Sequence, residues 1–219
     1  MRGVKSRRYD SSRRREQARL NREAVIAVAR RRFLKDGFAA TTITSIATDA
    51  GVSTDTIYKS FGGKPGLVRA MCEDALAGAG PVPTEQRSDA MQAAEPDPIK
   101  LLRILGTLTT EVAPRIAPLL LVLATSAGTD PAMAQLKADL EAARLARMTQ
   151  VARNLARKTQ LRPGLSAELA AEIMWAYSSP ELFGLLVLDR GWSAERYGDF
   201  VGEALVAALL PPASRAEPE

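Results

Sequence analysis

Length, composition and charge restrict the classes of protein that this chain can form. It has 219 residues, 46% of them apolar, and a net charge of +5, so it is long enough to bury a sizeable core. It has no histidine, which removes the commonest general base near neutral pH and the commonest nitrogen ligand of metals. A single cysteine, Cys72, excludes an intramolecular disulfide, and neither a signal peptide nor an apolar run of about 20 residues is evident. We therefore expect a cytoplasmic protein that is not an enzyme and uses no metal and no cofactor.

Positive charge is concentrated at one end of the chain. Residues 1–64 have 15 Lys and Arg against 6 Asp and Glu, a net charge of +9, whereas residues 65–219 have a net charge of −4. Such asymmetry indicates that one end meets a polyanion, although a solubilising basic tail would give the same count. Because the first residues include few apolar groups, we expect a basic, disordered arm over 1–15.

Glycines divide the next segment into four predicted helices. Apolar residues at helical spacing predict a first helix over 16–36, and a second, two-turn helix starts near Ile43. Gly51 ends the second helix because it can adopt a positive φ, and Ser53 offers a hydroxyl N-cap to a third. The third helix ends at Gly62 and Gly63, and Pro65 begins a fourth.

The rest of the chain is predicted to be helical and without strands. Glycines and prolines between residues 78 and 98 indicate a mobile connection to a larger body. Pro180 is expected to start a new helical segment or a kink, with Ser179 as a cap. The fold class is all-α, with about nine helices, a basic arm at 1–15, a head at 16–64 and a body at 65–219. The body helices are predicted at roughly 98–112, 114–127, 131–160, 166–189 and 193–210.

The second and third predicted helices have the organisation of a helix-turn-helix. Such a motif needs a tight turn between two short helices and a small residue where they cross, which Gly51 and Ala47 supply. The residues around them resemble the head of the tetracycline-repressor (TetR) family over residues 20 to about 72. The body resembles some members of the family at Ser179–Pro180–Glu181–Leu182 and at Arg190–Gly191–Trp192–Ser193. The matching positions of the head are Gly37–Phe38, Thr41–Thr42, Ile46–Ala47, Ala50–Gly51–Val52–Ser53, Thr56–Ile57–Tyr58, Phe61, Lys64 and Leu67.

The resemblance implies that the third helix lies in the major groove of double-stranded DNA. Thr54, Thr56 and Lys59 would contact base edges, unless the threonines only form a capped, solvated first turn. The phosphate contacts would be Thr42, Thr44, Tyr58, Ser60 and Lys64, with Tyr58 alternatively an aromatic at the edge of the core.

Two features depart from the usual family pattern. Pro65–Gly66 replaces a more common acidic pair, and Ser60 stands where a histidine is frequent, which puts a backbone contact in question. The basic arm would raise nonspecific attraction to DNA or enter an adjacent minor groove.

The body is expected to form a homodimer and to bind a small-molecule effector, because the resemblance implies both. The candidate residues for either role could instead be part of the core within one chain. The dimer candidates are Ala170, Ile173, Leu182, Leu185, Phe200, Ala204 and Leu205. The effector candidates are Met71, Glu111, Arg115, Met133, Met148, Trp175 and Tyr177, chosen because Met and amphipathic aromatics suit a pocket and the two charged residues could orient a polar ligand.

The expected function is a ligand-responsive regulator, in the family pattern a repressor released from a palindromic operator. A DNA-binding regulator or scaffold without an effector is the alternative. Cys72 would be a redox sensor if it were reactive, but its place on an apolar helical stripe favours inert core.

Overall fold

The computed structural model describes residues 4–78 and 80–212, with side chains from Ser12 onward. Within these ranges every regular element is a helix and there is no strand, which confirms the predicted all-α fold class. Pro180–Phe183 (α9) continues into one wider, π-helical segment, Gly184–Asp189, and Ser179 caps it as expected. The other helices are α1 (Val4–Asp36), α2 (Ile43–Ala50), α3 (Thr54–Phe61), α4 (Lys64–Ala77), α5 (Thr84–Ala94), α6 (Pro98–Ala127), α7 (Pro131–Lys158), α8 (Ala167–Tyr177) and α10 (Ala194–Leu209).

The first helix is longer than expected. The sequence predicted a disordered arm up to residue 15, but α1 already begins at Val4, and only residues 1–3 of that arm lie outside the described ranges. Arg19 pairs with Glu16 at 2.6 Å and with Glu23 at 2.5 Å, so side chains one turn apart support the helix where apolar contacts are few.

The predicted mobile connection after α4 contains a helix, α5. Its buried residues are Thr84, Ser88 and Gln92, a polar stripe spaced four residues apart. Apolar periodicity does not predict this helix, because the face that it turns inward is polar.

The central helix of the body, α6, is not interrupted as predicted. It continues through Pro114 and Pro118, where the sequence predicted a break at Pro114. A proline inside a helix removes one backbone hydrogen bond. Here α6 packs against α4, α7 and α10, and this packing keeps the two halves in one helix. The sequence predicted no apolar run long enough to span a membrane, but α6 is long and apolar enough by length and composition.

The close packing of α6 against α10 depends on three glycines. A Cβ atom on Gly106 would lie 2.4 Å from the main-chain oxygen of Gly198 and 2.7 Å from the Cα of Gly202. The two backbones therefore approach more closely than any side chain allows, which fixes α10 along the first half of α6.

The described part of the molecule has two apolar cores. The first joins α1 to α4 with residues from the second half of α6 and the start of α7, among them Leu123 and Met133. The second joins the first half of α6 to α7, α8, α9 and α10 around Phe183 and Tyr197. Because Leu67 and Met71 of α4 lie in the first core, α4 packs with the head as well as with the body.

Candidate DNA-binding surface

Local hydrogen bonds shape the turn between α2 and α3. Thr42 caps α2, accepting from the backbone N–H of Ser45 at 3.0 Å, and the Ser45 side chain accepts from the N–H of Thr42. Gly51 ends α2 with φ at +66°, a left-handed conformation that favours glycine. Ser53 then caps α3, because its hydroxyl accepts from the N–H of Thr56 at 3.1 Å.

Helix α3 is attached by one face and exposed on the other. Ile57 is fully buried in the first core, whereas Tyr58, Lys59 and Ser60 are exposed. The Lys59 side chain is 81% exposed and lies 4.0 Å from Asp55, a weak pair that leaves its ammonium available. The outer face of α3 is therefore free to enter a groove.

The two threonines predicted to contact bases are half-buried. The hydroxyl of Thr56 lies 2.9 Å from that of Ser53, so Thr56 takes part in the capped first turn. Thr54 precedes it at the start of α3 with its side chain partly accessible. The contact of Thr56 with Ser53 agrees with the alternative interpretation, a capped first turn. Base recognition by Thr54 or Thr56 stays a prediction.

Four of the predicted phosphate contacts are on the surface, and one of them is Ser60 of α3. Thr42 and Thr44 are exposed at the start of α2, and Tyr58 is 55% exposed on α3, which argues against a place in the core. Free backbone N–H groups at the start of a helix favour anions, so Thr42 and Thr44 are well placed beside a phosphate.

Lys64, the fifth predicted phosphate contact, makes contacts within the chain. Its Nζ donates to the main-chain oxygen of Phe38 and lies 4.1 Å from the centre of the Phe38 ring. Burial lowers the pKa of Lys64 below its ordinary value, and the charge of Asp130 partly opposes this. Lys64 therefore joins α4 to the loop before α2, and a phosphate contact would be a second role.

Sequence reasoning missed Arg22 and the reason for Gly66. The Arg22 guanidinium lies 4.7 Å from the ring centre of Phe61, which brings a cation of α1 to the end of α3. A Cβ atom on Gly66 would overlap the main-chain oxygen of Phe61 at 1.7 Å. The departure at Pro65–Gly66 thus allows α4 to begin directly against α3.

The predicted effector residues do not form one site. Met71 and Met133 are buried in the first core, whereas Met148 and Tyr177 pack against the second. Glu111 and Arg115 lie one turn apart on α6, where Glu111 pairs with Arg87 and Arg115 donates to the main-chain oxygen of Asp74. The Trp175 ring lies elsewhere, on α8, with its centre 4.3 Å from the Arg144 guanidinium.

A cleft between α6, α7 and α9 was missed. None of the predicted effector residues lines it, although Arg144 connects it to Trp175. Its volume is about 20 Å³, space for about one water molecule. The cleft is lined by Leu120, Leu123, Ala124, Lys137, Leu140, Glu141, Arg144, Pro180 and Glu181.

Only some of the predicted dimer residues are accessible. Ala170 and Leu205 are buried inside the chain, so the structure corrects their assignment to an interface. Leu185 and Phe200 are 59% and 37% exposed. Ile173, Leu182 and Ala204 are half-buried. Leu169 and Leu188 are exposed and were not predicted.

Cys72 is an inert core residue. It is fully buried in the first core, and burial raises the pKa of its thiol to about 12. The thiol is therefore protonated near neutral pH, which disfavours a redox role.

The fold and the surface of α3 define a helix-turn-helix protein with a helical body. Residues 25–71 match the family model described as bacterial regulatory proteins, tetR family. The head of the chain thus resembles the DNA-binding domain of the TetR family, whose members are DNA-binding transcriptional regulators.

Known proteins resemble the head in sequence and most of the chain in fold. Over 52 residues, 24% of the chain, it is 42% identical to the uncharacterized HTH-type transcriptional regulator YerO of Bacillus subtilis (strain 168), and the match spans only 18% of that protein. The structure of SmeT in complex with triclosan shares 21% identity and a TM-score of 0.69, covering 91% of this chain and 98% of SmeT. NalD of Pseudomonas aeruginosa, the secondary repressor of the MexAB-OprM multidrug efflux pump, shares 18% identity and a TM-score of 0.69, covering 90% of this chain and all of NalD.

Proposed function

We propose that this chain is a cytoplasmic, homodimeric repressor that leaves a palindromic operator when a small molecule binds its body. The main support for DNA recognition is the exposed outer face of α3. Tyr58 and Lys59 are exposed on this face, while Ile57 is buried and anchors the helix. A helix of this kind fits the major groove, and the excess positive charge of residues 1–64 supports attraction to phosphates.

An apolar surface on the last helices supports the homodimer. Leu185, Leu188 and Phe200 are large, exposed side chains on neighbouring elements of the body. The ring of Trp192 lies 5.7 Å from that of Phe200 and extends the same surface. Contiguous exposed apolar side chains mark interaction sites, and a second copy would place two α3 helices on one operator.

The middle of α6 supports a ligand-responsive body. From Leu108 to Ile116, nine consecutive residues are half-buried and none is fully buried. On either side of this segment α6 is buried, at Gly106 and at Ala117. NalD is a repressor of an efflux pump and SmeT binds triclosan, which supports small apolar molecules as the kind of effector to test.

Selection of bound fragments from random DNA with the purified protein tests the proposal. We expect a palindromic sequence to be enriched and the protein to elute as a dimer alone and on that DNA. Lys59→Ala should change the preferred bases, whereas Lys35→Ala, an exposed lysine at the end of α1, should not. No enriched sequence, or a monomer on DNA, would contradict the proposal.

Ligand screening distinguishes the proposed ligand-responsive repressor from the alternative, a regulator without an effector. Thermal melts against a library of metabolites and drugs should reveal a compound that raises the melting temperature and weakens operator binding. Operator binding without any such compound in a broad library would favour the alternative.

A further inference from the structure

The side chain of Arg144 has hydrogen-bond partners but no close carboxylate among the described residues. It lies on α7 at the cleft between α6, α7 and α9, and no carboxylate of the described residues comes within 4.0 Å of it. Its Nη1 donates to the main-chain oxygen of Trp175 at 2.5 Å and to the hydroxyl of Ser178 at 3.2 Å. Both acceptors are neutral, so the positive charge is not compensated by a direct ion pair.

Burial makes this uncompensated charge costly. Desolvation lowers the pKa of Arg144 from its ordinary value, and the carboxylates of Glu181 and Glu141 oppose the shift only from a distance. Glu141 is already paired with Lys137 at 2.5 Å, and Glu181 is exposed at the start of α9. Neither carboxylate therefore serves as a close counterion for Arg144.

A second polar group at the same place lacks a partner. The indole Nε1 of Trp175 is buried and has no hydrogen-bond partner among the residues that the structure describes. The Trp175 ring stacks on the Arg144 guanidinium at 4.3 Å. The indole Nε1 is thus a buried donor with unused capacity beside a guanidinium that has no close carboxylate, and buried donors of this kind normally find an acceptor.

The opposite side of the cleft is apolar. Leu120 and Leu123 come from α6 and Leu140 from α7, with Pro180 at the start of α9. The cleft holds only about 20 Å³, so a larger molecule must separate α6 from α7 as it enters. Leu123 also belongs to the core that contains the head helices, so such a movement would reach the DNA-binding surface.

We propose that Arg144 anchors an effector with an apolar body and one anionic group, such as a carboxylate, with the apolar part between α6 and α7. This inference rests on the proposed function and names the chemical class of its effector. The anion accepts from the guanidinium, which recognises a carboxylate through paired donors. The leucines of the cleft take the apolar part.

Calorimetric titration with matched acids and alcohols tests this class of ligand. The probes are decanoate and biphenyl-4-carboxylate, with 1-decanol and biphenyl-4-methanol as their uncharged counterparts. We expect at least one acid to bind the full-length protein about tenfold more tightly than its alcohol, since a charge-assisted hydrogen bond has about this effect. Equal binding of both acids and their alcohols, or no binding of either acid, would overturn the inference.

Substitutions of Arg144 test whether this residue binds the anionic group of the ligand. Arg144→Gln should abolish the preference for the acid, and Arg144→Lys, which keeps the charge but not the paired donors, should retain part of it. Arg153→Gln is the matched control, because Arg153 lies on the same helix but faces Glu168 at 3.7 Å and is exposed. An unchanged preference in Arg144→Gln would overturn the assignment, and if that variant does not fold, a full preference in Arg144→Lys would do so.

Operator binding without any probe separates this inference from the proposed function. If the selected operator is bound and an uncharged compound releases it equally from wild type and Arg144→Gln, the repressor stands and the anionic class falls. If no DNA sequence is enriched, the proposed function fails, whereas the acid preference is measured independently of DNA.

Discussion

Arg30 of α1 donates a hydrogen bond through Nη2 to the main-chain oxygen of Arg115 of α6 at 2.5 Å. Arg115 in turn donates through its own Nη2 to the main-chain oxygen of Asp74 near the end of α4 at 3.3 Å. Arg115 lies between Pro114 and Pro118, where the prolines remove backbone hydrogen bonds of α6. Head and body are thus joined at the irregular part of the central helix, so a change in α6 can reach α1 and α4 together.

Replacement of Arg30 should weaken this joint. Arg30→Ala removes the donor to the Arg115 oxygen, and we expect the free energy of unfolding to fall by about 1–2 kcal/mol. Chemical denaturation measures the change. Arg31→Ala is the control, because Arg31 is exposed and makes only a 3.4 Å pair with Asp49, and equal effects of the two substitutions would contradict a specific role for Arg30.

The glycine contact between α6 and α10 predicts a larger loss of stability. Gly106→Ala places a Cβ atom 2.4 Å from the Gly198 oxygen, so the two helices must move apart, at a cost of about 1–3 kcal/mol. Gly128→Ala, at the end of the same helix with nothing within 4 Å of the added atom, should have little effect. Denaturation midpoints of the two variants compare them, and a Gly106→Ala protein as stable as wild type would show that the helices do not pack this closely.

Salt dependence distinguishes the two roles of Lys64. If Lys64 contacts a phosphate, Lys64→Ala should weaken binding to all DNA sequences and reduce the log–log salt slope by about 0.9. If it only holds the Phe38 loop, the variant should melt at a lower temperature while the slope stays unchanged. Binding titrations at several salt concentrations decide, with Lys35→Ala as the exposed control.

Helix α5 should open before the rest of the body. Polar contacts attach it, including Arg147 to Asp89 at 2.6 Å and Asn154 to Gln92 at 3.1 Å. Partly exposed ion pairs contribute little stability, so α5 lacks the apolar burial that holds α6 and α7. Hydrogen exchange should be faster in α5 than in either helix and faster still in Arg147→Gln. Protection of α5 equal to that of α6 would contradict this.

The buried thiol of Cys72 predicts a loss of stability at alkaline pH. Burial raises its pKa from 9.0 to about 12, so its contribution is fully present below pH 9 and is lost as the pH rises towards 12, because the unfolded chain ionises first. The fall in unfolding free energy over this window should be smaller in Cys72→Ala than in wild type. Native protein should also resist alkylation at pH 8 until it is unfolded, and rapid modification would refute the assigned burial.

Local signals in the sequence determined most of the head. The caps at Thr42 and Ser53 and the left-handed turn at Gly51 depend on hydrogen bonds between residues at most four positions apart. Such contacts are independent of the rest of the chain, and the predicted α2 and α3 therefore match the structure. The family resemblance was carried by this same segment.

Only the tertiary structure decided the organisation of the body. The polar inward stripe of α5, the passage of α6 through Pro114 and the burial of Ala170 all depend on what packs against them. Arg144 and Trp175 are 31 positions apart, and neither residue indicates alone that their side chains stack over a cleft. Long-range packing determines which face of a helix is buried, because periodicity predicts that a helix has an apolar face but not what that face meets.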